Sequence, residues 1–184
     1  MSAERDEERP KTAGSPLFVI RPLVPEDWPE VRRIYEAGIA TGNATLERSV
    51  PTWEAWDAGH RPDGRLVAVD KAGRVIGWAA LSPYSHRAVY SGVAWESVYV
   101  APDSQGQGAG TALLAGVVAA SETAGVWTLL AGVLVENGAS LAVHERAGFT
   151  RIGTQHRVGR DMTDRWRDVV QMERRSEIVG ADRA

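Results

Sequence analysis

Residues 95–110, WESVYVAPDSQGQGAG, hold the densest set of groups able to do chemistry. An apolar run from Val93 to Val100 reads as a strand. A turn with Gly106, Gly108 and Gly110 follows, and the segment from Thr111 opens a helix. Without Cβ atoms, successive backbone N–H groups can converge on one point. The start of a helix adds unpaired N–H donors and the positive end of its dipole. Together they make a site for a phosphate or pyrophosphate, unless the glycines serve only a tight turn. The spacing removes two nucleotide-binding readings. A P-loop places Lys after its last glycine, and here Thr111 follows Gly110. A dinucleotide fingerprint reads G-x-G-x-x-G after the first strand, and neither the spacing nor the position fits.

Glu96 sits among Val93, Ala94, Trp95, Val98 and Val100. In a core strand, burial raises a carboxyl pKa toward values useful for a general base; on a solvated face it does nothing special. His144 can give up a proton near neutral pH or simply pack. Asn137 precedes the helix that carries His144, and either caps it or hydrogen-bonds a ligand; Ser140 has the same two readings, more weakly. Arg87 suits bidentate carboxylate binding or an ordinary surface. His60 and His156 stand alone without metal-ligand spacing and read as structural. No metal is expected. The sequence has no Cys, which removes disulfides, Cys-rich zinc sites and a Cys-acyl intermediate.

These groups need elements to position them. A strand is expected near Leu17 to Leu23, then a helix opened by Pro25 and Asp27 with Trp28, Val31, Ile34, Tyr35 and Ile39 on its apolar face. Thr52 fits the N-cap of a short helix carrying Trp53 and Trp56 and ending at Gly59. RLVAVD and RVIGWAAL, joined by Lys71, Ala72 and Gly73, read as a hairpin. After the strand from Val93 to Val100 come a helix from Thr111 to Ala124, a buried strand from Trp127 to Val135 and a helix from Ala139 to Ala147. Strands around Phe149–His156 and Trp166–Met172 close the order β-α-α-β-β-β-α-β-α-β-β. The fold class is α/β (α+β).

The chain has 184 residues, 43% hydrophobic and 24% charged, which suits one domain with one core. Residues 1–16 read as a disordered leader, 17–175 as the domain and 176–184 as a polar tail. A net charge of −3 gives no basic footprint for nucleic acid, and no apolar run approaches the roughly 20 residues of a bilayer span. The absence of Cys and of a signal peptide points to the cytoplasm.

The pattern Gln105-x-x-Gly108-x-Gly110 resembles the CoA-binding signature of the GNAT superfamily of N-acetyltransferases. NGASLAVHERAGF, residues 137–149, resembles its second conserved block. IYEAGIATGNATLE, ALSPYSHRAVYSG, ESVYV and RWRDVVQM together resemble the branch of phosphinothricin, methionine sulfoximine and L-amino acid N-acyltransferases. The resemblance runs over residues 18–174. It implies a mixed central sheet of about six or seven strands with about four helices. It also implies acetyl-CoA as co-substrate, a homodimer, and a small amino-acid-like acceptor amine. The turn Gln105, Gly106, Gln107, Gly108, Ala109 and Gly110, with Thr111, would bind the cofactor, helped by Asn137 and Ser140. Backbone N–H groups of Val98, Tyr99 and Val100, on a splayed or bulged strand, would polarise the thioester. Glu96 would act as base and His144 as proton donor to the departing thiolate. Glu47, Arg87, Tyr90 and Trp166 would form the acceptor pocket.

Two departures stand out. The branch places its Glu one residue earlier, where this chain has Trp95, and a one-residue shift reverses the face of a regular strand. Either a bulge restores the geometry or the base is a water relay, His86 or Asp168. VGRDMTDR, residues 158–165, also replaces a shorter basic-aromatic turn. Other acceptors (a peptide N-terminus, a polyamine, an aminoglycoside) or a non-catalytic acyl-CoA-binding domain remain as alternatives.

Overall fold

The computed structural model describes residues 17–181, so the leader and residues 182–184 lie outside the described residues. Seven strands form one sheet in the order β1-β2-β3-β4-β5-β7-β6. They are β1 (Phe18–Pro22), β2 (Leu66–Asp70), β3 (Val75–Pro83), β4 (Val93–Val100), β5 (Thr128–Leu134), β6 (Thr150–Arg160) and β7 (Trp166–Arg175). The helices are α1 (Trp28–Ala40), α2 (Trp53–Gly59), α3 (Ala109–Thr123) and α4 (Gly138–Arg146). This is the expected order of elements.

Alternation along the strands splits the core into two layers. In β2, Val67 and Val69 pack with Val31, Ile34 and Trp56 beneath α1 and α2, while Ala68 packs with Leu113, Leu114 and Val117 beneath α3. β3 does so with one change of phase at a bulge, where Ile76 is the extra residue opposite β2: Val75, Trp78 and Ala80 face α1 and α2, and Ile76, Ala79 and Leu81 face α3. Being covered on both faces explains why β3 reads as a near-continuous apolar run.

Local signals set the ends of the elements. The Thr52 hydroxyl accepts from Ala55 N–H at 3.3 Å and caps α2. Arg21 holds Asp27 with two hydrogen bonds of 2.6 and 2.7 Å, and Asp27 also accepts from Val24 N–H, fixing the entry to α1. α3 starts at Ala109, two residues before the expected Thr111, because Gly108 at φ 87° already turns the chain into the helix. β6 and β7 run past their expected ends: β6 reaches Arg160 by pairing with Trp166 of β7, and β7 reaches Arg175 by pairing with Thr128 of β5. The polar tail begins folded rather than free. Ser176 is buried, its hydroxyl donates to Glu122 at 3.0 Å and accepts from the N–H groups of Ile178 and Val179.

All neighbouring strands are antiparallel except β4 and β5. That parallel pairing is short. It joins Val93–Trp95 to Thr128–Leu130, and among the described residues the two strands share no ladder beyond it. β5 instead pairs along its whole length with β7. The sheet therefore forks after Trp95, and Glu96 is the first residue past the fork.

Candidate active site

β4 keeps a regular register with β3 from Val100 opposite Gly77 to Ala94 opposite Pro83, with no bulge. Ala101 N–H donates to Ile76 O, and Val93 O accepts from Tyr84 N–H, so odd-numbered residues turn their backbone groups toward β3. By alternation, the N–H groups of Glu96, Val98 and Val100 face the fork, where β5 offers them no partner. The expected splay is present without the bulge. Of the three residues named for thioester binding, Tyr99 turns its N–H to β3; Val98 and Val100 do not.

A cavity of about 640 Å³ opens along this fork. That size lies within the usual range of ligand sites. Val98, Tyr99, Val100, Gln105 and Gly106 line one side, continuing into Gly108, Ala109, Gly110 and Thr111. Asn137, Ser140 and His144 line the other side. Gly106 and Gly108 take φ of 74° and 87°, values that L side chains adopt only with strain. Gly110 lies in the first turn of α3, where a Cβ would meet Val100 Cγ2 at 3.4 Å, an ordinary contact, so space does not require a glycine there. Gln107 is a correction. Its side chain donates to Asp103 O and it does not line the cavity.

At the apex of the fork, Glu96 Oε1 lies 2.6 Å from His144 Nε2, and both residues are buried at 8% and 2% exposure. Glu96 shares its face of β4 with Ala94, Val98 and Val100, which pack under α3 and α4. The one-residue offset thus needs no bulge, because the unshifted geometry already turns this carboxylate to α4. His144 Nδ1 lies 2.7 Å from Ser140 O. A carbonyl only accepts, so Nδ1 carries a hydrogen. The Nε2–Oε1 contact then requires one further proton between the two groups. Burial pulls the His144 pKa down, but the hydrogen bond and charge of Glu96, with the Ser140 carbonyl, hold it above its ordinary value. Both ring nitrogens are engaged, so His144 has none free for a departing thiolate, which corrects the expected role.

Glu96 Oε2 is buried and has no hydrogen-bond partner among the described residues. Glu96 lines a second, smaller cavity of about 70 Å³ with Ala44, Ser97, Gly132, Val133 and His144. That is space for about two water molecules or the amino end of a small acceptor.

Asn137 is an N-cap: its Oδ1 accepts from Ser140 N–H at 3.1 Å, and its Nδ2 donates to Asn43 O at 2.8 Å. Ser140 shapes the site through its backbone, as the cap's donor and the acceptor for His144. The end of α1 and the polar connection that follows it supply Gly38, Thr41, Asn43 and Ala44 to the cavity wall. Gly38 permits this: a Cβ there would come within 2.9 Å of the Tyr99 ring. Sequence reasoning missed these residues. The run of small side chains in that segment is the signal that could have shown a close approach.

The expected acceptor residues fall elsewhere. Glu47, Arg87, Tyr90 and Trp166 are all exposed and line neither cavity. Arg87 stacks on Tyr90 at 5.2 Å and Arg160 on Trp166 at 4.3 Å. The alternative bases are also displaced. His86 is exposed. Asp168 accepts from Arg157 N–H and His156, which hold its pKa below the usual carboxylate range. His60 donates to Trp56 O at 2.6 Å and stacks on the Trp56 ring. Among the described residues no cluster of metal-ligating side chains occurs, and no helix is long and apolar enough to cross a membrane.

A forked mixed sheet with a glycine turn at the mouth of the fork is the architecture of the GNAT acetyltransferases. Residues 26–149 match the model of the Acetyltransferase (GNAT) family. The chain is 33% identical over 168 residues to a phosphinothricin N-acetyltransferase of Streptomyces coelicolor, covering 88% of this chain and 98% of that protein. It is 29% identical to an L-methionine sulfoximine/L-methionine sulfone acetyltransferase of Pseudomonas paraeruginosa, covering 80% and 88%. The crystal structure of a GNAT phosphinothricin acetyltransferase from Sinorhizobium meliloti, in complex with AcCoA, superposes with a TM-score of 0.79 at 29% identity, covering 91% and 92%. The chain belongs to the GNAT family and is an N-acetyltransferase.

The shared proton gives a direct test. In Glu96→Gln, burial of His144 is no longer opposed by a carboxylate, so its titration followed by imidazole NMR should move to lower pH. A midpoint at the wild-type pH would contradict the pairing.

Proposed function

We propose that the enzyme transfers an acetyl group from acetyl-CoA to the primary amine of a small amino-acid-like acceptor, of the phosphinothricin or methionine sulfoximine kind. The observation that carries this is the Glu96–His144 pair at the apex of the fork, with Oε2 unpartnered beside a cavity sized for an amino group. The long cavity fits the donor: it begins at a helix N-terminus with two glycines at positive φ and ends at free strand N–H groups. Acetyl-CoA supplies the acetyl group as a thioester, already activated toward an amine. The C–S bond breaks as the C–N bond forms, and CoA leaves as the thiol, its sulfur taking up the second proton lost by the attacking nitrogen. The turn from Gln105 to Gly110 and the first N–H groups of α3 hold the pyrophosphate. The N–H groups of Val98 and Val100 are aimed to hydrogen-bond the carbonyl oxygen as it gains charge.

The shared proton holds Oε1 on His144 Nε2 and fixes the orientation of the carboxylate; once that proton has left, Glu96 Oε2 receives the proton of the acceptor ammonium. An α-amine titrates near pH ~8, and the pair keeps its shared proton to a pH above the ordinary histidine value. The base-competent form therefore grows as pH rises through that raised value, and kcat/KM should rise with it. The acceptor class rests on the relatives, whose names include phosphinothricin and methionine sulfoximine.

The deciding experiment is thiol release from acetyl-CoA with phosphinothricin, L-methionine sulfoximine, L-methionine sulfone, a polyamine, an aminoglycoside and a peptide. Turnover is expected on the first three, falling by roughly 10²–10⁴-fold in Glu96→Gln. Turnover confined to the polyamine, aminoglycoside or peptide would overturn the acceptor assignment.

Gly108→Ala should cost about 1–2 kcal/mol of backbone strain at φ 87°. It should also weaken CoA binding by about tenfold or more, read by calorimetry on protein shown folded by urea titration. An unchanged dissociation constant would sink the pyrophosphate assignment.

A homodimer is part of the same reading. β6 is an 11-residue edge strand exposed along almost its whole length, and Ile152, Val158, Met162 and Trp166 add exposed apolar surface to it and its hairpin. Such an edge is a template for pairing, and two-fold pairing with a second copy covers it most simply. Sedimentation equilibrium should return twice the chain mass at micromolar concentration; a single-chain mass would remove the dimer.

A further inference from the structure

We infer that Arg167 is a positioning residue for acetyl transfer: it clamps the connection after α1 against the site and, through Asn43 and Asn137, sets the turn of α4 that orients His144. The inference rests on the acetyl-transfer reading for its kinetic consequence, but its geometry stands on the free protein.

Arg167, near the start of β7, is 7% exposed. Its guanidinium reaches three separate stretches of chain. Nη1 donates to Gly42 O at 2.8 Å and to Asp161 Oδ2 at 3.2 Å. Nη2 donates to Glu136 Oε2 at 3.0 Å and to Asn43 Oδ1 at 3.4 Å. Only a planar fork can serve acceptors in these several directions from one position. Two neighbours close the same seam. Arg48 donates to Asp161 O at 3.3 Å, and Leu46 lies so close over Gly159 that a Cβ there would meet it at 2.6 Å. The connection from Thr41 to Arg48 is thereby held on the β6–β7 hairpin, and its Thr41, Asn43 and Ala44 wall the main cavity. Ala44 also lines the small cavity beside Glu96.

A continuous line of hydrogen bonds leads from this clamp to the reacting groups. Arg167 fixes Gly42 and Asn43; Asn43 O accepts from Asn137 Nδ2; Asn137 Oδ1 accepts from Ser140 N–H; Ser140 O accepts from His144 Nδ1; His144 Nε2 meets Glu96 Oε1. Arg167 Nε, in contrast, is buried without a partner among the described residues. A buried charge with an unmade hydrogen bond is a poor source of net stability. The guanidinium is better explained by the geometry it imposes on the connection and on α4.

The test uses Arg167→Met, which keeps length and removes the fork, and Arg167→Lys, which keeps charge but offers one nitrogen. In the free protein, amide hydrogen exchange should accelerate in residues 41–48 and in the first turn of α4, with the turn at 105–111 unchanged. In turnover with L-methionine sulfoximine, the acceptor KM should rise roughly tenfold or more, and by a clearly larger factor than the CoA dissociation constant, because the clamp walls part of the main cavity but does not touch the turn at 105–111. The Lys variant should fall between Met and wild type. Should both unfold, Glu136→Ala removes a single, largely exposed partner and should shift exchange and KM in the same direction by less. Uniform acceleration of exchange, or loss of CoA and acceptor binding together, would make Arg167 merely structural and overturn the inference. If the wild-type enzyme acetylates none of the amino-acid analogues, the acceptor reading fails, and the exchange pattern alone decides the role of Arg167.

Discussion

The parting of β4 from β5 after Trp95 and Leu130 governs the rest of the molecule. A parallel pair carried to the end of β4 would satisfy the N–H groups of Glu96, Val98 and Val100 and leave no space between the strands. The fork leaves these donors unspent and opens the cavity between them. It costs little strain, because β4 stays in regular register with β3 on one side and β5 is fully paired with β7 on the other. Each strand thus keeps one complete ladder, and only the facing edges are left for a ligand.

Along the fork the chemistry is graded. Glu96 and His144, buried and sharing a proton, occupy the apex. Four residues further along, about 13 Å away at the rise of a strand, β4 ends at Val100, and beyond Pro102–Ser104 come the glycine turn and the start of α3. One end is built to exchange protons and the other to receive an anion. A molecule with an anionic anchor at one end and a reactive group at the other spans these two environments. Burial alone would keep His144 neutral and easily deprotonated. The carboxylate at 2.6 Å reverses that bias and holds the proton on the histidine to a higher pH.

The walls come from segments far apart in the chain. α4 supplies His144, and the connection after α1 lies over it, pinned from the opposite end of the sheet by Arg167. The exposed residues Glu47, Arg87, Tyr90 and Trp166 stand outside this enclosure, as does the long edge of β6. One face of the molecule is therefore finished around the cavity, while another presents the outer edge of β6, which has no partner strand among the described residues.

Much of this was written in local sequence. The order of elements, the glycine turn and the caps at Thr52 and Asn137 depend on neighbours within a few residues, and alternation or helical spacing reveals them directly. The resemblance of short blocks carried the family as well. The partnership of Glu96 with His144 depends on which face of β4 meets α4, 48 residues later. The one-residue offset needs no bulge, because a regular β4 already brings Glu96 to His144. The clamp of Arg167 on Gly42 spans 125 residues, and no local pattern marks one buried arginine among many exposed ones. Spacing along the chain sets backbone geometry and periodicity. Which charges are buried together, and hence which protons are shared and which loops are held, is set only when distant segments are packed and desolvated against one another.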